Sequence, residues 1–280
     1  MIVKDAFKDA MNHFIDNPIM LLGLLGIITL VLLSSLSPAF KKQISSYLQY
    51  DSMTTLGSKN NKYSKPPAFS LKKGGDYFAI VSTSKGSFTI DLFEDDTPKN
   101  VNNFVFLAND EFYNGLDFFV VREGVLMQGG DPKGDGTGTP GYTIPDEIDA
   151  HALGLDQIVV KNAHFLRDLY SDEVLKKYAN LTVSELYSTV DGYTYISGYG
   201  THRFGPYMVG MANWGPNTNG CQFFVTGKLF NSRLLDGRYT AIGRVISGKS
   251  VVDTIMAENV DSHGWLKTPV EISSVKIVVK

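Results

Sequence analysis

The sequence predicts a mainly β protein, a closed antiparallel barrel, carried behind one apolar N-terminal helix. Three observations predict it. Short apolar or alternating runs recur with turn residues between them, as in YFAIVST, SFTIDLF, LDFFVV, YMVGMA, CQFFVTG, YTAIGRVI and VEISSVKIVV. Many short strands with few helices are the mark of an antiparallel barrel, which removes its exposed edges by closing on itself. Helical patterns are few: Val101, Phe104, Val105 and Ala108 line one face after Pro98, and VVDTIMAE follows Gly248. Finally, no charge occurs from Asn17 to Phe40, and a bilayer core needs about 20 apolar residues.

Residues 1–18 place Val3, Ala6, Phe7, Ala10, Met11 and Phe14 at three- and four-residue steps, the spacing of a short amphipathic helix. Residues 19–38 then read as a transmembrane helix. Cleavage as a signal peptide is the rival reading, with Ser35 and Ser37 small enough to precede a cut, but Pro38 would follow it, where proline is poorly tolerated. The expectation is a single-pass protein of a bacterial plasma membrane with its folded domain on the extracytoplasmic side. Lys4 and Lys8 before the span and Lys41 and Lys42 after it specify that orientation weakly. Residues 39–75 are polar, centred on SKNNKYSKPP, and read as a flexible stalk.

The folded domain is expected over 76–280. YFAIVST and SFTIDLF flank an SKG turn and form a hairpin. Thr97 is placed to cap the helix that Pro98 begins. At about 146–206 the strand pattern breaks: SDEVLKKYA and TVSELYSTV look helical, with Thr182 and Glu185 spaced as a capping box, and Tyr193, Tyr195, Tyr199 and Tyr207 follow. Helical matter in a strand series reads as an insertion whose ends lie close together and whose removal leaves the barrel folded.

Composition removes several functions. Twenty-six basic and twenty-nine acidic residues give a net charge of -3 with no lysine- or arginine-rich run, so no nucleic-acid surface is expected. Cys221 is the only cysteine, which rules out an intrachain disulfide and a thiolate zinc site, and packing is its expected role. His151, His164, His202 and His263 have no ligand spacing, so neither a metal nor a cofactor is expected.

The chemistry lies in four motifs, taken in chain order: DTPKNVNNFVFLA at 96–108, GVLMQGGDPKGDGTG at 124–138, MANWGPNTNGCQFFVTG at 211–227 and LLDGRYTAIGRV at 234–245. Together they resemble the cyclophilin family over roughly 76–280, the insertion apart. The resemblance implies an eight-stranded antiparallel barrel closed by two helices. It also implies a peptidyl-prolyl cis-trans isomerase that assists folding of proline-containing chains, here at a membrane. Proline-containing peptides or unfolded chains are the implied partners. The bond before proline resists rotation by about 18–20 kcal/mol because amide resonance must be broken, and turning it requires no covalent intermediate.

Carried over by motif, Gln128 and Asn213 hold substrate backbone. Val125, Leu126, Ala212, Gln222, Phe224, Leu234, Leu235 and Tyr239 line the site, with Phe224 as floor of a proline cup. Strand alternation sends Phe223 and Phe224 to opposite faces, so only one can meet a ligand. The chain departs from the family where it matters most: the usual catalytic arginine position is Val120, within Phe118-Phe119-Val120-Val121-Arg122. Val125 and Leu126 stand where phenylalanine and methionine are common, Leu234 replaces a frequent tryptophan, and Tyr239 a histidine. Two readings follow. Arg122, two residues on and on the same face of a continuing strand, supplies the missing donor, with Arg203 a second candidate. Otherwise the fold serves as a catalytically weak proline-peptide-binding or assembly module.

Overall fold

The computed structural model describes residues 59–198 and 200–280. The 1–18 segment, the apolar run at 19–38 and the stalk as far as residue 58 lie outside the described residues. Within these no helix is long and apolar enough to cross a membrane. The described residues form two compact units, Val159–Leu181 by itself and 59–158 with 182–280.

The larger unit is built on eight strands: β1 Tyr77–Thr83, β2 Gly86–Leu92, β3 Leu116–Arg122, β4 Leu126–Gly129, β5 Met208–Met211, β6 Phe223–Thr226, β7 Ala241–Ser247 and β8 Trp265–Val279. They close in the order β1-β2-β7-β5-β6-β4-β3-β8, every pair antiparallel. Alternation explains the closure: Tyr77, Ala79 and Val81 of β1 and Phe88, Ile90 and Leu92 of β2 all turn inward and are buried. Helix α1 (Pro98–Asn109) buries Val101, Phe104 and Leu107 in the same core. There Phe104 meets Phe223 edge to face at 5.4 Å. Helix α4 (Lys249–Met256) adds Val252, Ile255 and Met256. Two short helices, α2 (Asp172–Lys177) and α3 (Val183–Leu186), lie within 146–206.

Strand β3 carries a bulge. Phe118 pairs with Gly129 but Val120 with Gln128, so Phe119 is an extra residue. Phe118 and Val121 point into the core while Val120 faces out and Phe119 packs on Trp265 at 5.3 Å. Simple alternation from Phe118 would have turned Val120 inward.

Three expectations change on contact with the structure. Thr97 does not cap α1 through its side chain; its hydroxyl donates to the carbonyls of Phe93 (3.3 Å) and Ala241 (3.2 Å). The cap comes from Glu147, whose carboxylate accepts the N–H of Lys99 (3.1 Å) and both the N–H and Nδ2 of Asn100 (2.8 Å each). A buried carboxylate satisfies orphan N–H groups at the positive end of the helix dipole.

Residues 59–75, read as stalk, instead run along the barrel. Lys59 Nζ donates to the carbonyls of Glu111 (3.1 Å), Phe112 (2.9 Å) and Asn114 (2.5 Å). Asn61 and Tyr63 donate their N–H groups to Thr139 and Pro140, each at 2.9 Å, and Ser70 N–H meets Asn102 Oδ1 at 2.8 Å. Part of their polarity is spent on barrel carbonyls and on the Asn102 and Asp110 side chains, while most of these residues stay exposed.

The insertion is narrower than 146–206. Val159–Leu181 forms the separate unit, with two 3-10 turns and α2, and its ends meet through Val160 N–H to Leu181 C=O at 2.9 Å. Thr182 and Glu185 form the capping box of α3. Residues 146–158 and 182–206 belong to the barrel unit. Asp149 accepts the N–H of Gly198 at 3.0 Å and Tyr195 OH donates to the Gly237 carbonyl at 3.1 Å, while Tyr187 is fully buried.

Candidate functional site

One transverse row crosses the barrel's outer face. Val120 of β3 lies opposite Gln128 of β4, Gln128 opposite Phe224 of β6, Phe224 opposite Gly210 of β5, and Gly210 opposite Ala241 of β7. Register partners share a face. That face is the outer one, because the neighbours Met127, Phe223 and Val209 belong to the barrel core. Above the row a second apolar cluster gathers Phe204, Met208, Phe224, Phe230, Leu235 and Ala241, with Leu126, Ala212 and Tyr239 packed against it.

Phe224 is 2% exposed and is gripped from two sides. Phe204 lies 5.4 Å away, tilted by 36°, and Tyr239 meets it edge to face at 5.5 Å and 88°. Gly210 allows this approach, since a Cβ there would stand 2.5 Å from Phe224 Cζ and 2.8 Å from the Phe204 ring. Burial pushes the Tyr239 phenol pKa up, so it stays protonated and neutral.

Beside the aromatics, two amides are chained to the glycine-rich loop. Gln222 Nε2 donates to the carbonyls of Gly136 and Gly138, both at 3.0 Å. With its amide plane fixed, Gln222 Oε1 accepts Gln128 Nε2 at 2.9 Å. The Gln128 Oε1 atom has no hydrogen-bond partner among the described residues and can accept from a ligand. Asp131 tightens the same loop, accepting the N–H of Lys133 (2.9 Å) and Gly136 (2.5 Å). Burial pushes its carboxyl pKa up against those bonds.

Asn213 is arranged differently from what its amide suggests. Its side chain is tied within the loop, Nδ2 to the Arg238 carbonyl at 2.9 Å and Oδ1 to the N–H of Gly215 at 3.2 Å. Its own N–H and C=O make no hydrogen bond among the described residues, so its main chain is what remains for a ligand. Ala212 is fixed by its N–H to the Gln222 carbonyl at 2.9 Å.

The remaining expected residues divide. Leu126, Ala212, Phe224, Leu235 and Tyr239 come together, whereas Val125, at the β3–β4 turn and 36% exposed, and Leu234, half-buried, stand outside the cluster. Arg122 lies opposite Leu126, exposed, its carbonyl accepting the Val125 N–H at 2.9 Å and its guanidinium with no hydrogen bond or ion pair among the described residues. Arg203 is fixed instead: its Nε lies 3.2 Å from Asp236, a carboxylate with no exposed surface that also takes Arg233 Nε (3.1 Å) and the N–H of Phe204 (3.0 Å). Phe204, Phe230 and Asp236 are the residues that sequence reasoning missed. Phe204 and Arg203 fell in the stretch assigned to the insertion, and no local pattern links them to Asp236. No cluster of His, Cys, Asp and Glu among the described residues could hold a metal ion.

The described residues thus place an aromatic cup, chained amides and open main chain together on one outer face of a closed antiparallel barrel. Residues 78–277 match the family model described as cyclophilin type peptidyl-prolyl cis-trans isomerase/CLD, and the chain belongs to that family. It is 30% identical over 200 residues to peptidyl-prolyl cis-trans isomerase 9 of Schizosaccharomyces pombe, covering 71% of this chain but 25% of that one. It is 31% identical over 197 residues to peptidyl-prolyl cis-trans isomerase B of Streptomyces anulatus, covering 64% and 83%. Among solved structures, a Cryptosporidium parvum cyclophilin-type isomerase crystallised in the presence of the dipeptide Ala-Pro matches with a TM-score of 0.49 and 23% identity, over 72% of this chain and 98% of that one.

Proposed function

We propose that the outer face built on Gln128, Phe224 and Asn213 binds proline-containing peptides or unfolded chains and turns the bond before proline. The observation that carries this reading is the row Val120–Gln128–Phe224–Gly210 with the apolar cluster above it. Phe224, Leu126, Ala212 and Leu235 form the cup for the proline ring, while Gln128 and the main chain of Asn213 hold the flanking backbone. Gln222 orients Gln128, and Tyr239 braces the cup. Val125 and Leu234 border it.

As the amide twists, resonance is lost and the lone pair localises on the proline nitrogen, where a donor stabilises it. Val120 cannot donate. Arg122 is diagonal to Gln128 on the same face, at about 7–8 Å between Cα atoms, within reach of a long side chain. It is unanchored, so it donates with poor preorganisation, and turnover is slow.

The test is isomerisation of a short proline peptide, with binding followed separately by titration. Phe224→Ala should weaken peptide binding about tenfold or more, from lost apolar contact, and Gln128→Ala, on the half-exposed neighbour, should do so without loss of fold. Unchanged binding in the folded Gln128→Ala protein would remove the site from this face.

The charge-free run at 19–38 supports placing this activity at a membrane, on the extracytoplasmic side of a bacterial plasma membrane. The full chain should stay with membranes through high-salt and carbonate washes and enter solution with detergent. Recovery of the full-length chain in the salt-washed soluble fraction would overturn the anchor.

A further inference from the structure

Residues 59–63 do more than decorate the barrel. Asn60 Oδ1 accepts the N–H of Thr139 at 3.0 Å, Asn61 N–H donates to the Thr139 carbonyl and Tyr63 N–H to the Pro140 carbonyl, each at 2.9 Å. Gly141 has φ +107° and no room for a Cβ, which would lie 2.0 Å from the Tyr63 carbonyl oxygen. The segment is itself pinned at Lys59 by three carbonyls near the end of α1, and at the Tyr63 ring, 5.1 Å edge-on to Phe106.

The loop it grips is the one whose Gly136 and Gly138 carbonyls hold Gln222, which in turn orients Gln128. Thr139 follows Gly138 directly. A fixed strap therefore connects to the substrate-facing amide through three successive hydrogen bonds: Asn60 to Thr139, the Gly138 carbonyl to Gln222, Gln222 to Gln128. An amide that loses its partner costs rotamer freedom again each time it binds.

We infer that Asn60 and the strap around it are positioning elements for peptide binding, setting the orientation of Gln128 through the glycine-rich loop. Peptide affinity in this chain then depends on a segment N-terminal to the barrel. The inference rests on the reading of Gln128 as a substrate-holding residue.

The experiment compares KM, kcat and Tm for the full chain in detergent with a proline peptide as substrate. Asn60→Ala should raise KM about threefold, the scale of one lost hydrogen bond, with kcat nearly unchanged. Gly141→Ala, which forces the strap off the loop, should raise KM about tenfold. Asn60→Asp keeps an acceptor for the Thr139 N–H and should restore KM. Lys85→Ala removes a surface ion pair with Glu258, away from the strap and the site, and should leave KM alone. A fall in Tm with KM unchanged in Asn60→Ala and Gly141→Ala would overturn the inference, and so would failure of Asn60→Asp to rescue. Gln128→Ala separates the two readings: if it leaves KM unchanged, the site assignment has failed; if it raises KM while the strap variants do not, only the coupling has.

Discussion

Replacing residues 159–181 with a short turn is expected to leave a protein that unfolds in one cooperative step, and removing 146–206 is expected to leave none. The cut at 158 and 182 costs little because the two ends already meet: Val183 donates its N–H to the Ile158 carbonyl at 2.8 Å. The wider cut removes Glu147, which satisfies three donors at the start of α1. A buried donor left unpaired costs about 1–3 kcal/mol, so losing that carboxylate alone takes several kcal/mol from a total stability of about 5–15 kcal/mol. The same cut strips Asp236 of the Arg203 guanidinium and the Phe204 N–H, and Phe224 of its neighbour Phe204. Urea unfolding of the two deletions decides it. Glu147→Ala should by itself cost about 3 kcal/mol, between a lost cap and a broken buried network. A cooperative transition in the 146–206 deletion at the midpoint of the intact protein would show that these contacts carry no stability.

Val120→Arg should raise kcat/KM by about 10–100-fold, because a missing charge-stabilising donor commonly costs about 100–1,000-fold and the proposed role of Arg122 would recover only part of it. The bulge at Phe119 makes this a fair substitution. It keeps residue 120 on the outer face, opposite Gln128, so the new guanidinium extends over the cup. Arg122→Ala should lower the wild-type rate and have little effect in the Val120→Arg background, since the two arginines then serve one function and their effects do not add. If Val120→Arg changes nothing and Arg122→Ala changes nothing, the donor is elsewhere. Arg203, held by a buried carboxylate with its side chain 59% exposed, becomes the next arginine to remove.

The barrel was legible because period-two burial is written into β1 and β2 and because glycine-rich turns separate the strands. Gln128, Ala212, Gln222, Phe224 and Leu235 were legible through their motifs, which sit on strands or on short loops fixed to them. The rest depended on contacts between residues far apart in the chain. Glu147 caps a helix 48 residues before it, and nothing local to Thr97 announces that its hydroxyl is engaged elsewhere. The strap at 59–63 is polar, and polarity alone does not tell water from a neighbouring carbonyl as the partner. The bulge at Phe119 shifts a strand by one residue without any glycine or proline to mark it. Asn213 illustrates a further case: its motif marks the residue, but not that its side chain is tied to Arg238 and Gly215 while its main chain stays open.

Asp236 also constrains the order in which this face can change over generations. Its side chain has no exposed surface, and two arginines and one N–H converge on it. Loss of the carboxylate first would take the shared counter-ion from both arginines and the acceptor from the buried Phe204 N–H beside the apolar cluster, which is a costly intermediate. Loss of Arg203 first is mild, because that side chain is mostly in solvent and Arg233, 21% exposed, still neutralises the carboxylate. Drift at this corner is therefore directional: descendants shed the outer arginine before the inner one, and keep the acid longest.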